Sequence, residues 1–223
     1  MPRAQLAEGE YYHVYNRGVE KRPIFLYDQD RWRFLTLLII LQGDSPVPQI
    51  NRLVSDVQHW MLDNELFEEI KTSQTVELVS FCLMPNHYHL ILRELKEGGI
   101  SKFMQRLSNS YTKYFNIKYE RTGHLFGGKF QSVHIDKDAY LKHLSAYIHL
   151  NPRELKSAYS KEINYLWSSF RDFCNENRFG AFLNPSIVLD QFDNKKEYQY
   201  FVESTSIKKI ENRISSEYLI DAN

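Results

Sequence analysis

The stretch Ser80 to Leu92 (SFCLMPNHYHLIL) constrains the fold most, because its pattern is that of a β-hairpin. Two short apolar runs flank Met84-Pro85-Asn86, and a Pro-Asn pair between strand-like runs is typical of a turn. Side chains alternate along a strand, so His87 and His89 point to one face and Tyr88 to the other. Two imidazoles at this spacing can share a metal ion if another element supplies further ligands, although ordinary half-buried histidines give the same pattern.

A second segment, Asp138 to Pro152 (DAYLKHLSAYIHLNP), carries apolar residues at helical spacing and predicts an amphipathic helix. Tyr147 and Asn151 are one turn apart, so they share a face of this helix. Pro152 disfavours helical backbone at the residue before it, which predicts that the helix ends at Asn151. Taken alone, Tyr147 is explained as a core aromatic and Asn151 as a C-terminal cap. Beside a histidine pair, the same residues offer a nucleophilic phenol and a metal-binding amide oxygen.

Together these segments resemble a known family. His87-Tyr88-His89 resembles the paired-histidine motif of the HUH nucleases, and Tyr147 to Pro152 resembles the tyrosine helix of the single-tyrosine transposases. Within these, the sequence is most similar to the REP-associated tyrosine transposases, in the same order over about residues 10–173. Further stretches that carry the likeness are Tyr12 to Gly18, Ile24-Phe25 with Asp30, Gly123 to Phe130, and Trp167 to Phe170.

The resemblance implies a metal-dependent DNA transposase. A divalent cation, Mg²⁺ or Mn²⁺, would be held by His87, His89 and Asn151 and would polarise the scissile phosphate. Attack by Tyr147 would give a covalent 5′-phosphotyrosine and a free 3′-OH, so that strands are cut and rejoined without ATP. The implied partner is single-stranded DNA with hairpin-forming repeats. The hypothesis needs the Tyr147 hydroxyl near the cation, and a phenol sealed in the hydrophobic interior would contradict it.

Basic residues predict where the DNA lies. From Ser101 to Ile135 the cations outnumber the acidic residues, of which Glu120 is the only one, and tyrosines interleave with the cations. Such a band suits single-stranded nucleic acid, whose backbone follows the cations while its bases stack on rings. A solvated helix face explains the same pattern equally well. With the family resemblance, the predicted DNA contacts are Asn16, Arg17, Lys21, Arg22, Lys102, Arg106, Lys113 and Lys129.

Three other classes of protein can be compared with the sequence: nucleotide hydrolases, cupins and non-catalytic nucleic-acid binding proteins. The glycine-rich loop Arg121 to Gly128 lacks the Lys-Ser/Thr of a P-loop, so nucleotide hydrolysis is not supported. His87 and His89 with Glu94 also match a cupin metal spacing, but cupins need a long succession of strands, whereas helices flank this motif. A non-catalytic single-stranded nucleic-acid binding protein stays open, because an intact set of site residues does not prove turnover.

The order of the predicted elements indicates the fold class. Strand, helix, hairpin, helix, strand and helix favour an α+β fold, an antiparallel sheet with helices on one face in a ferredoxin-like or RRM-like arrangement. The family resemblance implies the same palm-like sheet. The predicted catalytic domain is 8–153, with an acidic helical insertion at 51–72, and 154–223 is predicted to be a C-terminal helical extension packed on that domain. The expected strands are 11–16, 76–82, 87–92 and 130–135, and the expected helices are 28–41, 51–71, 101–119, 138–151 and 185–202.

Composition sets the remaining limits. A chain of 223 residues, 43% of them hydrophobic, can bury a core as one domain with an extension. No apolar run approaches the ~20 residues that span a bilayer, so no membrane partner is expected. Cys82 and Cys174 lack metal or redox spacing, and buried thiols suit a cytoplasmic protein. The net charge of zero gives no global sign of nucleic acid, and monomer and homodimer both stay open.

Overall fold

The computed structural model describes residues 6–46, 50–58, 64–155 and 162–206. A four-stranded antiparallel sheet lies at its centre, in the order β2-β3-β1-β4. The strands are β1 (Tyr11–Arg17), β2 (Val76–Met84), β3 (His87–Glu94) and β4 (Gln131–His134). The helices are α1 (Asp28–Ile40), α2 (Ile50–Gln58), α3 (Asn64–Thr72), α4 (Gly99–Lys118), α5 (Asp138–Leu150), α6 (Phe170–Cys174), α7 (Ser186–Leu189) and α8 (Lys195–Ser204). The predicted α+β class and the ferredoxin-like order of elements are confirmed.

The helices cover both faces of the sheet, so the expectation of helices on one face is wrong. Tyr88 contacts Phe34 of α1 at a ring-centroid distance of 5.0 Å, and Phe34 in turn contacts Tyr111 of α4 at 5.0 Å. The next residue on β3, His89, contacts Tyr147 of α5 at 5.5 Å. Since neighbouring residues of a strand face opposite sides, α1 and α4 lie on one face and α5 lies on the histidine face.

The predicted hairpin forms, and its strands are longer than the pattern indicated. Met84 pairs with His87 across the turn, and the ladder continues to the pair of Val76 and Glu94 with one irregularity near Ser80. The turn is held from outside as well, because the Pro85 carbonyl accepts backbone hydrogen bonds from residues 24 and 25 at 2.9 and 3.1 Å. The histidine that opens β3 therefore starts from a fixed backbone position.

Strand β2 lies at one edge of the sheet, and the C-terminal extension covers that edge. Leu83 N donates to the Trp167 carbonyl at 2.8 Å, and Ser169 N donates to the Phe81 carbonyl at 3.0 Å. Further along, Asn184 N donates to the β2 backbone at 2.9 Å. An uncovered edge strand offers unpaired backbone groups to other chains, so these contacts protect the sheet. These contacts join residues 167–184 to β2. The division into a domain at 8–153 and an extension at 154–223 stays a prediction, and residues 156–161 and 207–223 lie outside the described part of the chain.

Several predicted helix boundaries change in the structure. The acidic insertion contains α2 and α3, and the residues between them, 59–63, lie outside the described part of the chain. The predicted C-terminal helix is split into α7 and α8, with the side chain of Asn194 accepting hydrogen bonds from two backbone amides at the start of α8. Helix α5 ends at Leu150, and the chain continues as a 3-10 turn at Asn151–Glu154. Asn151 keeps helical backbone angles (φ −46°, ψ −39°), so it stays one turn below Tyr147.

Candidate functional site

His87 is held in a fixed orientation at the start of β3. Asn86 donates through Nδ2 to the Lys21 carbonyl at 3.1 Å, so its Oδ1 is turned to His87 Nδ1, 2.7 Å away. An amide oxygen only accepts, so Nδ1 must carry the proton. In the neutral imidazole, Nε2 is then the nitrogen with a lone pair, the form that binds metals.

Asn151 presents a second lone pair to the same position. Its Nδ2 donates to the Tyr147 carbonyl at 3.0 Å, so its Oδ1 faces His87 Nε2 at 3.2 Å. In the neutral form described above, His87 Nε2 and Asn151 Oδ1 are both acceptors, and they repel each other. A cation or an added proton between them would remove this repulsion. Ligands about 2.1 Å from one ion are separated by roughly 3.0–3.4 Å, so the observed 3.2 Å suits two ligands of a single cation.

His89 completes the pair on the same strand face. Its Nδ1 lies 2.9 Å from His13 Nε2, a contact that leaves Nε2 of His89 as the nitrogen for a metal. The two rings of the pair, His87 and His89, meet edge to face at a centroid distance of 5.1 Å. Among the described residues no three His, Cys, Asp or Glu side chains form a group that would hold a metal. The candidate ligands are therefore two imidazoles and one amide, the set that the resemblance implied.

Tyr147 is next to this pair but is shut off from solvent. Its ring meets the ring of His89 edge to face at 5.5 Å, so α5 brings the tyrosine to the histidines as expected. The exposed fraction of Tyr147 is 0%, and its neighbours on α5, from Leu144 to Leu150, are also buried. The hypothesis required an accessible hydroxyl, and this burial is the observation that stands against it. No phosphate can reach the Tyr147 hydroxyl unless α5, or the residues packed around Tyr147, move.

The predicted DNA contacts divide into exposed cations and residues with internal roles. Lys21, Arg22, Lys113 and Lys129 are exposed. Arg22 forms an ion pair with Glu20. Arg17 is half-buried at the end of β1, where its backbone pairs with that of His87. The structure contains no DNA. The DNA contacts of these four exposed cations and of Arg17 therefore stay predictions.

Three of the predicted contacts are hydrogen-bonded or paired within the protein. Arg106 donates to the carbonyls of Gly43 and Ser45 at 2.6 and 3.0 Å and so fixes the loop after α1. Lys102 is paired with Asp44 at 2.7 Å. Asn16 is 7% exposed, and its Nδ2 donates to the Gly128 carbonyl at 3.1 Å. Arg106 and Asn16 hold loops in place here, which sequence spacing alone did not indicate.

Sequence reasoning also missed the residues that orient the histidines. His13 and Asn86 lie within the motifs named above with no predicted role of their own, yet each meets the Nδ1 atom of one imidazole. Asn86 stands directly before His87, so a signal was present. The role of His13 depends on the register between β1 and β3, in which it pairs with Ile91, and a single sequence does not give that register.

A buried polar network holds α5 against the C-terminal extension. His149 Nδ1 lies 2.6 Å from the Tyr198 hydroxyl, and its Nε2 lies 2.8 Å from Ser169 Oγ and 3.1 Å from Ser80 Oγ. Burial lowers the pKa of His149 from its usual value to about 3. The network thus joins the helix that carries Tyr147 to β2 and to α8 through an imidazole kept neutral.

This network predicts a loss of stability in mild acid. Below about pH 6.5 the unfolded chain protonates His149 while the folded protein does not, so the free energy of unfolding falls until the pH reaches the folded pKa of about 3. Between about pH 7 and pH 5, protonation of His149 in the unfolded chain lowers the free energy of unfolding by roughly 2 kcal/mol. Urea unfolding at both pH values would measure it, with His149→Gln as the variant that lacks the titrating ring. An equal pH dependence in both proteins would contradict the assignment.

The site residues fall within a match to a known family. Residues 54–151 match the family model described as "Transposase IS200 like". The match includes His87, His89, Tyr147 and Asn151. This segment of the chain is therefore similar in sequence to the IS200-like transposases. The predicted resemblance to single-tyrosine transposases is thereby confirmed for the segment that carries the candidate metal ligands and the tyrosine.

The fold agrees with this family. A solved structure of a REP-associated tyrosine transposase bound to a REP hairpin superposes with a TM-score of 0.51 and 14% sequence identity, covering 82% of this chain and 89% of that chain. At this identity the likeness supports the shared fold alone. No curated protein sequence matches the chain. Within the described residues, no helix has the length and hydropathy needed to cross a bilayer.

Proposed function

We propose that the protein is a metal-dependent strand transferase that cleaves and joins single-stranded DNA at hairpin-forming repeats through a covalent intermediate on Tyr147. The observation that carries this proposal is the cluster at the start of β3: two oriented imidazoles, the Asn151 oxygen 3.2 Å from one of them, and the Tyr147 ring against the other. The solved relative bound to a REP hairpin supports the choice of substrate. Cys82 and Cys174 are free thiols, which suits the cytoplasmic location we propose.

The residues that would hold the cation are His87, His89 and Asn151. When bound there, Mg²⁺ or Mn²⁺ would polarise the scissile phosphate and stabilise negative charge on the departing oxygen. The protein's own contribution is orientation. Asn86 and His13 engage the Nδ1 atoms, which leaves both Nε2 atoms for the ion, and the Asn151 amide is fixed by its bond to the Tyr147 carbonyl.

Tyr147 would act as the nucleophile. Its phenol gives up its proton to water, and its oxygen forms a bond to phosphorus. The bond from phosphorus to the 3′ oxygen breaks, and the departing oxygen takes a proton from water to become a 3′-OH. The 5′ phosphate stays on the tyrosine until another 3′-OH attacks it and releases the phenol. One phosphodiester replaces another, so no nucleotide cofactor is consumed.

The burial of Tyr147 adds a requirement. The ring is 0% exposed, so DNA binding must be accompanied by a movement that opens the space between α5 and the histidine face of the sheet. The same burial favours a second candidate function, a single-stranded DNA binding protein that does not cleave. In that case, Tyr147 would serve only as a core residue.

A covalent-adduct assay separates the two functions. Labelled single strands from the hairpin-forming repeats nearest the gene would be incubated with the protein in Mg²⁺, Mn²⁺ or EDTA and analysed under denaturing conditions. The transferase requires an adduct that forms with metal and is absent with EDTA. Binding of equal strength in metal and in EDTA, with no adduct in either, would support the non-catalytic protein. A repeat with scrambled stem sequence is the substrate control.

The orientation of His87 can be tested separately through its partner. Asn86→Ala removes the oxygen that fixes the imidazole, and loss of such a partner typically weakens metal affinity by about 10–100-fold. We expect this loss for Mn²⁺ in isothermal titration of the protein without DNA. Asn109→Ala, an exposed amide on α4, is the control with unchanged affinity. Unchanged affinity in Asn86→Ala, with His87→Ala also unchanged, would show that the metal binds elsewhere.

A further inference from the structure

A large cleft lies beside α4, on the side of the sheet opposite the histidine pair. We call it the α4 cleft. It has a volume of about 1160 Å³, and its walls are one face of α4 and the segment 124–130. This volume is above the roughly 300–1,000 Å³ of sites for single small ligands. The cleft therefore suits a longer, extended ligand.

The chemistry of the walls favours an anionic ligand with hydrogen-bonding groups. The lining contains three lysines and no Asp or Glu. Lys102 is paired with Asp44, whereas Lys113 and Lys129 are exposed and form no ion pair among the described residues. Between these cations α4 presents short polar side chains that both donate and accept, Ser101, Gln105, Ser108, Asn109 and Thr112.

Apolar contact surface is also present in the cleft. Phe126 and Phe130 line it with small exposed fractions of 7% and 8%, and Leu125 lines it with 3%. Cations along a groove, with rings and uncharged polar groups between them, match an unpaired strand, whose phosphates follow the cations and whose bases meet the rings and amides. In a duplex the hydrogen-bonding edges and the ring faces of the bases are paired and stacked inside the helix. A duplex would therefore make fewer contacts with the walls of the cleft.

The cleft is connected to the candidate active site through the end of the sheet. Gly127 N donates to the Arg17 carbonyl at 2.9 Å, and Val19 N donates to the Leu125 carbonyl at 3.0 Å. Arg17 itself pairs with His87 across β1 and β3. The wall of the cleft and the first candidate metal ligand therefore sit at the same end of the sheet, on opposite faces. A strand leaving one site can pass round this end and reach the other.

We infer that the α4 cleft binds the unpaired nucleotides that flank the cleaved phosphodiester, with Lys113 and Lys129 contacting their phosphates. The inference rests on the proposed function for its substrate class. It assigns to α4 the task of holding unpaired DNA, while the histidine face carries out the chemistry.

The test measures binding in EDTA, so that no cleavage is needed. Fluorescence anisotropy with a labelled single strand lacking a hairpin would compare the wild type with Lys113→Glu/Lys129→Glu. Lys71→Glu/Lys196→Glu, with the same charge change on exposed lysines elsewhere, is the matched control. We expect at least about a tenfold loss of affinity in the cleft variant only. The slope of log affinity against log salt should also decrease by about 1.4, the value for two lost phosphate contacts.

A second variant distinguishes the cleft from its rim. Gln105→Ala/Thr112→Ala removes two hydrogen-bonding side chains of the α4 wall without changing charge, and we expect it to weaken binding as well. Retained binding in Gln105→Ala/Thr112→Ala, or an equal loss in the two lysine variants, would overturn the inference. The outcome is separate from that of the proposed function: cleft-dependent binding without any covalent adduct would support the cleft alone, and an adduct with cleft-independent binding would support the transferase alone.

Discussion

Tyr147→Phe is expected to abolish the covalent protein–DNA adduct. The substitution removes one oxygen, which in our proposal is the atom that bonds to phosphorus, and no neighbouring group can replace it. The ring remains, with its edge-to-face contact to His89 at 5.5 Å. Such a near-isosteric change in a core usually costs under about 1.5 kcal/mol, so the variant should fold. Denaturing gels with Mn²⁺ measure the adduct, and circular dichroism measures the fold.

Tyr140→Phe is the matched control for this experiment. Tyr140 lies on the same helix, two turns before Tyr147, and is half-buried. We expect its variant to form the adduct at the wild-type level. Loss of the adduct in Tyr140→Phe with retention in Tyr147→Phe would mean that α5 presents a different nucleophile.

Asp30→Ala is expected to lower the free energy of unfolding by about 3–5 kcal/mol, the usual cost of breaking a buried charge pair. The Asp30 side chain is completely buried, and Lys118 Nζ contacts its Oδ1 at 2.7 Å. Two tyrosines of α4 and its C-cap donate to the same carboxylate, Tyr114 at 2.9 Å and Tyr119 at 2.8 Å. Its other oxygen accepts two backbone hydrogen bonds at the start of α1. Removal leaves all these donors without their acceptor.

Asp28→Ala is the control, because its carboxylate is 74% exposed on the same turn of α1. We expect it to change the free energy of unfolding by under about 0.5 kcal/mol. Urea unfolding of both variants would measure the difference, and a loss of similar size in the two would contradict the assigned role of Asp30.

The pH dependence offers a check on the same carboxylate. Burial alone would raise the pKa of Asp30, but the hydrogen bonds from Lys118, the Tyr27 amide, Tyr119 and the Leu26 amide outweigh it and lower the pKa. A lowered pKa gives stability that is present above the unfolded value of about 3.9 and is lost as the pH falls through the folded value. Asp30→Asn should therefore lose less stability on acidification than the wild type.

Local patterns predicted the hairpin and the tyrosine helix well. The Pro85-Asn86 turn predicted where β3 begins. The alternation of side chains along β3 then placed His87 and His89 on the same face. Spacing on one helix was enough to place Asn151 below Tyr147, because that relation is set by helix geometry. Both features depend on residues within a few positions of each other.

Features that depend on long-range contacts could not be predicted. The contact of Trp167 with the edge of β2 joins residues far apart in the chain, as does the bond from Arg106 to the loop at Gly43. The covering of both sheet faces follows from how α5 packs, which the order of elements does not specify. The complete burial of Tyr147 results from the same packing, and the sequence offered no sign of it.

The most direct test of the central claim is peptide mapping of the adduct. The protein would be incubated with a labelled repeat and Mn²⁺, denatured, digested with protease and nuclease, and analysed by mass spectrometry. We expect a nucleotide linked through its 5′ phosphate to Tyr147 and absent when EDTA is added. A nucleotide on another residue, or metal-dependent cleavage that leaves no nucleotide on the protein, would contradict it.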